Sequence, residues 1–471
     1  MHWTDAAAVY HPREPNSSPL WRLLDEHFPA FLAEYDDRFL REYGFLRPVI
    51  PDVVEAFRQC GDLSEGFARV RCPDCHHEYL LAFSCRGRWF CPSCHAKKVI
   101  LFGQHLRDNV LYPVPHRQYV FSIPIILRRF FKYDRKLLGQ LCRAINQSLL
   151  KFFRTATGLK TGALGAVMAI QTFGDYARWH PHVHVLLADG LFRESGVFYV
   201  MPKVDLAPLA EMFRAKVLAL LKKEGRIDDA LIAKLLTWRH NSGFSVHNGV
   251  RLARDDEAGR EALAQYIIRN PFAVSKITYN PASGMVIYKS KPTQRRIKGG
   301  RRNFQVFSAT EFIAAITQHI PEKSFQLVRY YGWYSNRGRG ERANRLADAA
   351  TTATGQSPLP AAVEVLDVYD YRPRKIPSPT WRECIKKVWE VDPLACPKCG
   401  GEMKIVSFIT KAAIIRRILE HLGLWTGKKT KPPPTSRAPP PLDREKRYEP
   451  FDDGWPQYED YDEYEEPLVM V

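Results

Sequence analysis

The chain has 471 residues, enough for roughly two to four domains and more than one buried core. Its 69 Lys and Arg outweigh 51 Asp and Glu, giving a formal net charge of +18, which points to a polyanionic partner, most simply nucleic acid. No run approaches the ~18 consecutive apolar residues of a membrane span, and the start, Met1-His-Trp-Thr-Asp, does not read as a secretory signal. A cytoplasmic, nucleoid-associated chain without a membrane partner is therefore expected.

In chain order, residues 19–60 read as helical, with apolar residues three and four apart in Leu20-Trp-Arg-Leu-Leu and Phe31-Leu-Ala-Glu-Tyr. A cysteine-rich stretch follows. Cys72-Pro-Asp-Cys75 and Cys91-Pro-Ser-Cys94 are two knuckles fifteen residues apart, the spacing of a four-cysteine zinc site, so these four thiolates are expected to share one structural Zn²⁺. Cys60, Cys85, His76, His77 and His95 lie nearby as candidate replacements or parts of a second site.

From Val114 to Tyr334 strand and helix patterns mix, which gives an α+β class. Val120-Phe-Ser-Ile and Gly165-Ala-Val-Met-Ala-Ile-Gln-Thr predict strands, and Asp134 to Phe153 a helix. Ser308-Ala-Thr-Glu311 opens another helix with a capping-box pattern, closed by Pro321. The expected division is 1–110 (helical and zinc-binding), 111–345 (catalytic), 346–379 (linker, rich in Ala, Thr, Ser and Pro) and 380–425 (a small cysteine module). Residues 426–471, Pro-rich and basic and then acidic, form a tail expected to be disordered. In the small module Cys396-Pro-Lys-Cys399 is half a site, with Cys384 and His421 as candidates for the rest.

The segment Trp179-His180-Pro-His182-Val-His184-Val-Leu-Leu alternates like a strand, so His182 and His184 project from one face. Two neutral imidazoles on a rigid strand supply most of a site for a divalent ion that can polarise a phosphate. Gln171 ends the preceding predicted strand, and a hairpin would return it beside the pair as a third ligand suited to Mg²⁺ or Mn²⁺. His180 is its competitor. Downstream, Tyr266 lies mid-helix in Arg260-Glu-Ala-Leu-Ala-Gln-Tyr-Ile-Ile-Arg269, and a phenolate is both a nucleophile and a leaving group towards phosphorus. Tyr279, Tyr288, Tyr330, Tyr331 and Tyr334 are rivals. No phosphate-binding P-loop is present.

Between Lys289 and Arg302 the chain carries seven cations and no acid: Lys289, Lys291, Arg295, Arg296, Lys298, Arg301 and Arg302. Arg337 and Arg339 follow the aromatic cluster Tyr330-Tyr-Gly-Trp-Tyr334. Cations for phosphates and aromatic faces for unpaired bases are the two needs of a single-strand groove, and Arg269 beside the tyrosine joins them.

With these residues in view, the chain resembles the insertion-sequence-ninety-one family of rolling-circle transposases, within the HUH (His-hydrophobic-His) nucleases. The resemblance runs from the cysteine module through His182-Val-His184, Gly243-Phe-Ser-Val-His247 and Tyr266-Ile-Ile-Arg269-Asn-Pro to Arg329-Tyr-Tyr-Gly and Asp392-Pro-Leu-Ala-Cys-Pro-Lys-Cys-Gly. It implies a helical and zinc-ribbon-like domain that helps recognise element ends, ahead of a catalytic domain with a central antiparallel sheet and flanking helices. His182 and His184 would hold the metal and Tyr266 would attack, leaving a 5′-phosphotyrosine and a free 3′-OH. The partners implied are single-stranded or end-hairpin DNA of the element and target DNA, with an oligomer allowed. Founding members carry two tyrosines on one helix, whereas the positions four before and after Tyr266 are Ala262 and Asn270, so the chain resembles a single-tyrosine variant. Two other readings remain open: a plasmid relaxase or replication initiator with the same chemistry, and a zinc-dependent DNA-binding regulator without catalysis.

Overall fold

The structure, a computed structural model, describes residues 15–87, 89–237, 243–289, 303–352, 382–383, 385–386 and 391–425. The chain begins with helices α1 (Pro19–Ala33), α2 (Tyr35–Arg38), α3 (Leu40–Tyr43) and α4 (Val49–Arg58), then strands β1 (Phe67–Arg71) and β2 (Glu78–Ala82). Helix α5 (Pro92–Asn109) leads into β3 (His116–Ser122), α6 (Ile125–Tyr133) and the long α7 (Lys136–Thr157). The hairpin β4 (Gly165–Phe173) and β5 (Trp179–Ala188) follows, with β6 (Gly190–Phe192) and β7 (Phe198–Val200) beyond it. Next come α8 (Ala207–Lys223), α9 (Asp229–Leu236), β8 (Ser245–His247), β9 (Arg251–Leu252) and α10 (Glu257–Ile267). The last third holds β10 (Ile277–Asn280), β11 (Met285–Lys289), β12 (Phe304–Ser308), α11 (Ala309–Thr317), β13 (Val328–Gly332), α12 (Asn336–Thr352), β14 (Lys404–Ile409) and α13 (Ala412–His421).

The centre is an antiparallel sheet in the order β13-β4-β5-β3-β8, with β9 also on β3. Paired residues share a face, so the register sorts the side chains into two sets. Val183 pairs with Phe121 and Val185 with Tyr119, and on this face Phe121 meets Phe213 of α8 and Tyr119 meets Phe153 of α7. The opposite face carries His182, His184, Gln171 and Gln118, and α10 covers it. Both faces are thus buried, and β5 is buried from Pro181 to Ala188.

A second core departs from the expected boundary at residue 110. Leu20, Leu24, Phe28 and Phe31 of α1 pack with Ile277 and Val286 of the β10-β11-β12 sheet and with Phe312 and Ile313 of α11, so the N-terminal helices share a core with residues 272–320. The capping box opening α11 is formed, with both Ser308 and Glu311 bonding back to backbone N–H groups.

The C-terminal cysteine module does not stand apart either. β14 is an edge strand paired antiparallel to β1, with Phe67 opposite Ile409 and Arg71 opposite Lys404. Gly66 permits this approach: at φ 117° a Cβ there would lie 2.9 Å from the Ile409 carbonyl oxygen. Of the expected linker, residues 346–352 belong to α12, and the rest lies outside the described residues, as does the whole of the expected tail. No helix among the described residues is long and apolar enough to cross a membrane.

Candidate active site and cysteine clusters

The β4–β5 hairpin pairs Gln171 directly with His182 and Ala169 with His184, so the three expected ligand side chains emerge side by side from one face. The imidazole rings of His182 and His184 lie 5.0 Å apart between centroids, and His180 continues the row 5.0 Å from His182. Burial holds all three imidazoles neutral: His182 is pushed down to about 4, with Arg269 and Arg128 acting in the same direction, and His180 and His184 fall well below the usual imidazole value. His182 Nδ1 lies 2.8 Å from the His180 carbonyl, which only accepts, so Nδ1 carries the proton and Nε2 presents its lone pair.

Gln171 is fixed by the same logic. Its Nε2 donates to the Ile267 carbonyl at the end of α10 (3.0 Å), so Oε1 points the other way, buried and without a hydrogen-bond partner among the described residues. Two neutral imidazoles and an uncommitted amide oxygen are a donor set that fits a divalent ion. Among the described His, Cys, Asp and Glu side chains, only cysteines form clusters of three or more potential ligands, so the histidine site depends on this glutamine.

Helix α10 lays Tyr266 over the same face. Asp256 caps the helix by accepting from Gly259 N (2.7 Å), and the Tyr266 ring stands edge-on to His184 with centroids 5.6 Å apart. The Arg269 guanidinium sits 4.9 Å from the Tyr266 ring and 5.4 Å from the Phe173 ring. The rival tyrosines lie elsewhere. Tyr334 is fully buried and bonds His116; Tyr279 bonds Glu26 and His27; Tyr288 is buried in the second core. Tyr330 and Tyr331 are on β13, at the sheet edge.

Sequence reasoning missed Gln118, whose side-chain amide Nε2 stands 2.8 Å from His184 Nδ1. Its only signal was strand parity, since Gln118 shares a face with His184 on the neighbouring strand. Among the expected DNA-contacting cations, Lys289 ends β11 and is exposed. Lys291, Arg295, Arg296, Lys298, Arg301 and Arg302 lie outside the described residues, between strands β11 and β12 that pair with each other. Arg337 is exposed and pairs with Glu341, whereas Arg339 is tied to the Asn109 carbonyl (2.9 Å) and to Asn336 (2.7 Å).

The single zinc site expected from Cys72, Cys75, Cys91 and Cys94 is corrected. Cys91 and Cys94, at the start of α5, join Cys60 and Cys85, while Cys72 and Cys75 join Cys396 and Cys399. Within each group the sulfurs all lie within 4.8 Å of one another. The fifteen-residue interval fits one ion locally, but the fold turns the two knuckles towards different partners. Among the described residues, Cys72 and Cys75 rather than His421 complete the C-terminal half-site; Cys384 lies outside the described residues.

Comparison with known proteins agrees with this architecture. Residues 30–123 match the family described as "Transposase zinc-binding domain", and residues 165–342 match the family described as "Putative transposase". Over 396 residues the chain is 26% identical to a "Transposase for insertion sequence element IS801" from Pseudomonas savastanoi pv. phaseolicola, covering 79% of this chain and 87% of the relative. It is 24% identical over 370 residues to a "Putative transposase y4qJ" from Sinorhizobium fredii (strain NBRC 101917 / NGR234), covering 74% of this chain and 90% of that one. No solved structure matches.

The class is therefore that of the transposases, enzymes that cut and transfer DNA strands. Within it, the two matched domains and the relatives support a transposase of the insertion-sequence-ninety-one family. Zinc is the cofactor that the matched domain and the cysteine clusters support.

Proposed function

We propose that this transposase cuts and joins single DNA strands by attack of Tyr266, in a rolling-circle reaction on an HUH-type sheet. One observation carries the reading: α10 brings the Tyr266 ring to 5.6 Å from His184, on the sheet face that also presents His182 and Gln171. In the reaction, the Tyr266 oxygen loses its proton and bonds to phosphorus while the bond from phosphorus to the 3′ oxygen breaks. The electron pair leaves on that oxygen, which is protonated to a free 3′-OH, and the 5′ end stays on the enzyme as a phosphotyrosine. The bond energy is retained, so a later strand can be joined without ATP.

Arg269, whose guanidinium lies 4.9 Å from the Tyr266 ring, would supply positive charge beside the nucleophile. His182, His184 and Gln171 would hold Mg²⁺ or Mn²⁺, which when bound supplies Lewis-acid polarisation of the scissile phosphate. Of the cations expected to meet DNA, Lys289 and Arg337 are the exposed ones among the described residues, and DNA of an insertion sequence is the substrate that the relative's name supports. Because α10 presents a single tyrosine, exchange of two strands requires two successive attacks or a second copy of the chain.

The test is a denaturing gel of the protein mixed with labelled single strands from the DNA flanking its gene, with Mn²⁺ present. Label migrating with the wild-type protein and absent from Tyr266→Phe is the expected result. An adduct that survives in Tyr266→Phe assigns the nucleophile elsewhere, and tight binding with no adduct in the wild type overturns the catalytic reading.

A further inference from the structure

Cys72 and Cys75 lie more than three hundred residues before Cys396 and Cys399, yet their sulfurs converge: Cys72 to Cys399 is 3.5 Å and Cys75 to Cys396 is 3.3 Å. These distances exceed the ~2.05 Å of a disulfide and approach the ~3.8 Å edge of a thiolate tetrahedron around an ion at a zinc–sulfur distance of about 2.3 Å. The two halves are built alike. Each is Cys-Pro-x-Cys followed by a residue of positive φ, His76 at 58° and Gly400 at 74°. Each also folds its first cysteine back through its own backbone amide, Cys72 N donating to His77 O and Cys396 N to Gly401 O, both at 2.8 Å. The knuckles touch, since a Cβ on Gly401 would lie 2.3 Å from Asp74 Oδ2.

Around them the second half is held by two small apolar clusters. Val70, Cys72, Cys396 and Met403 form a four-residue core, and Phe67 packs with Ile415 and Leu419. Polar support adds the β1–β14 ladder and a bond from Tyr79 Oη to Pro393 O (2.7 Å). Clusters this small supply little burial, the situation in which a structural metal substitutes for a core.

We infer that the chain binds two zinc ions, the second held by a split ribbon of Cys72, Cys75, Cys396 and Cys399 that clasps residues 391–425 onto the N-terminal domain. The first ion belongs to Cys60, Cys85, Cys91 and Cys94, all inside the matched zinc-binding domain, whereas Cys396 and Cys399 lie far outside it. The catalytic region 165–342 lies between the two halves of the ribbon, so this ion closes a loop around it. The clasp is independent of the tyrosine chemistry and stands or falls by metal content.

Zinc released from the purified full-length protein by denaturation, counted per chain by mass spectrometry, tests it. The expected count is two for the wild type, and one for each of Cys75→Ser, Cys399→Ser and Cys94→Ser. Cys75→Ser combined with Cys399→Ser should still retain one, because both remove the same ion, whereas Cys94→Ser combined with Cys399→Ser should retain none. Limited proteolysis supplies a second readout: residues 391–425 should be cleaved early in Cys399→Ser and late in the wild type. A wild-type count of one overturns the inference even if every variant is insoluble. So does a Cys399→Ser protein that keeps two ions.

Discussion

Gln118 sits on β3 beside the histidine row, and its amide decides which nitrogen His184 can offer. Binding a metal through Nε2 requires the proton on Nδ1, and a proton there needs an acceptor. Turning the amide over places Oε1 in that position, whereas the His180 carbonyl already serves His182 in the same way. Neither partner would touch the proposed ion, yet such supporting bonds typically contribute 10–100-fold in metal affinity. Gln118→Leu is therefore expected to raise the Mn²⁺ concentration needed for half-maximal adduct formation by about 10–100-fold, with little effect at saturating Mn²⁺. Gln118→Glu, whose carboxylate only accepts, should restore low-Mn²⁺ activity. An unchanged Mn²⁺ requirement in Gln118→Leu would remove Gln118 from this role.

Helices carry the tyrosine to the sheet, and their ends are where that delivery is most easily weakened. Asp256 accepts from Gly259 N in the first turn of α10, and on its flank α10 packs against α5 through an Arg107–Glu261 ion pair and a His95 Nε2 bond to Ile268 O (2.6 Å). Asp256→Ala should cost about 1 kcal/mol of stability, read as a lower urea midpoint at an unchanged slope. Loss of less than a few tenths would mean that the α5 contacts alone hold the helix. α5 also starts at Cys91 and carries Cys94, so the first cysteine cluster anchors the helix that braces α10. How far these elements could be read from sequence follows from the range of their contacts. The β4–β5 hairpin, the row of histidines and the α11 capping box are local patterns with period two or short offsets, and Gln171 fell opposite His182 for that reason. The pairing of β14 with β1 and the partners of each Cys-x-x-Cys are set by contacts across most of the chain, and spacing carries no record of them. Gln118 was invisible for a related reason: a lone glutamine in a strand acquires meaning only once its neighbouring strand is known.

At the scale of the whole molecule, two buried histidines join parts that are distant in sequence, and both are built for the neutral state. His116 lies at the start of β3; its Nδ1–H donates to Val114 O (2.7 Å) and its Nε2 accepts from Tyr334 Oη (2.8 Å), linking the central sheet to the segment after β13. His319 follows α11; its Nε2–H donates to Ala177 O (2.8 Å) and its Nδ1 accepts from Thr172 Oγ1 (3.0 Å), linking the second core to the β4–β5 hairpin. Burial pushes each of them down to about 3, and nearby arginines add to the effect. The folded value is below the unfolded one near 6.5, so the unfolded chain binds the proton first. Above about pH 6.5 neither state is protonated, and these residues contribute no pH dependence. Below it, each costs the folded state about 1.4 kcal/mol per pH unit until about pH 3, where the folded imidazole takes up its own proton and stability stops falling on its account. Between pH 7 and pH 5 the pair should therefore remove about 4 kcal/mol, visible as a large drop in the urea midpoint. In His116→Gln combined with His319→Gln the midpoint should start lower at pH 7 and fall less steeply. A wild-type midpoint that is flat from pH 7 to 5, or a double variant with the same slope as the wild type, would place the acid sensitivity in other groups.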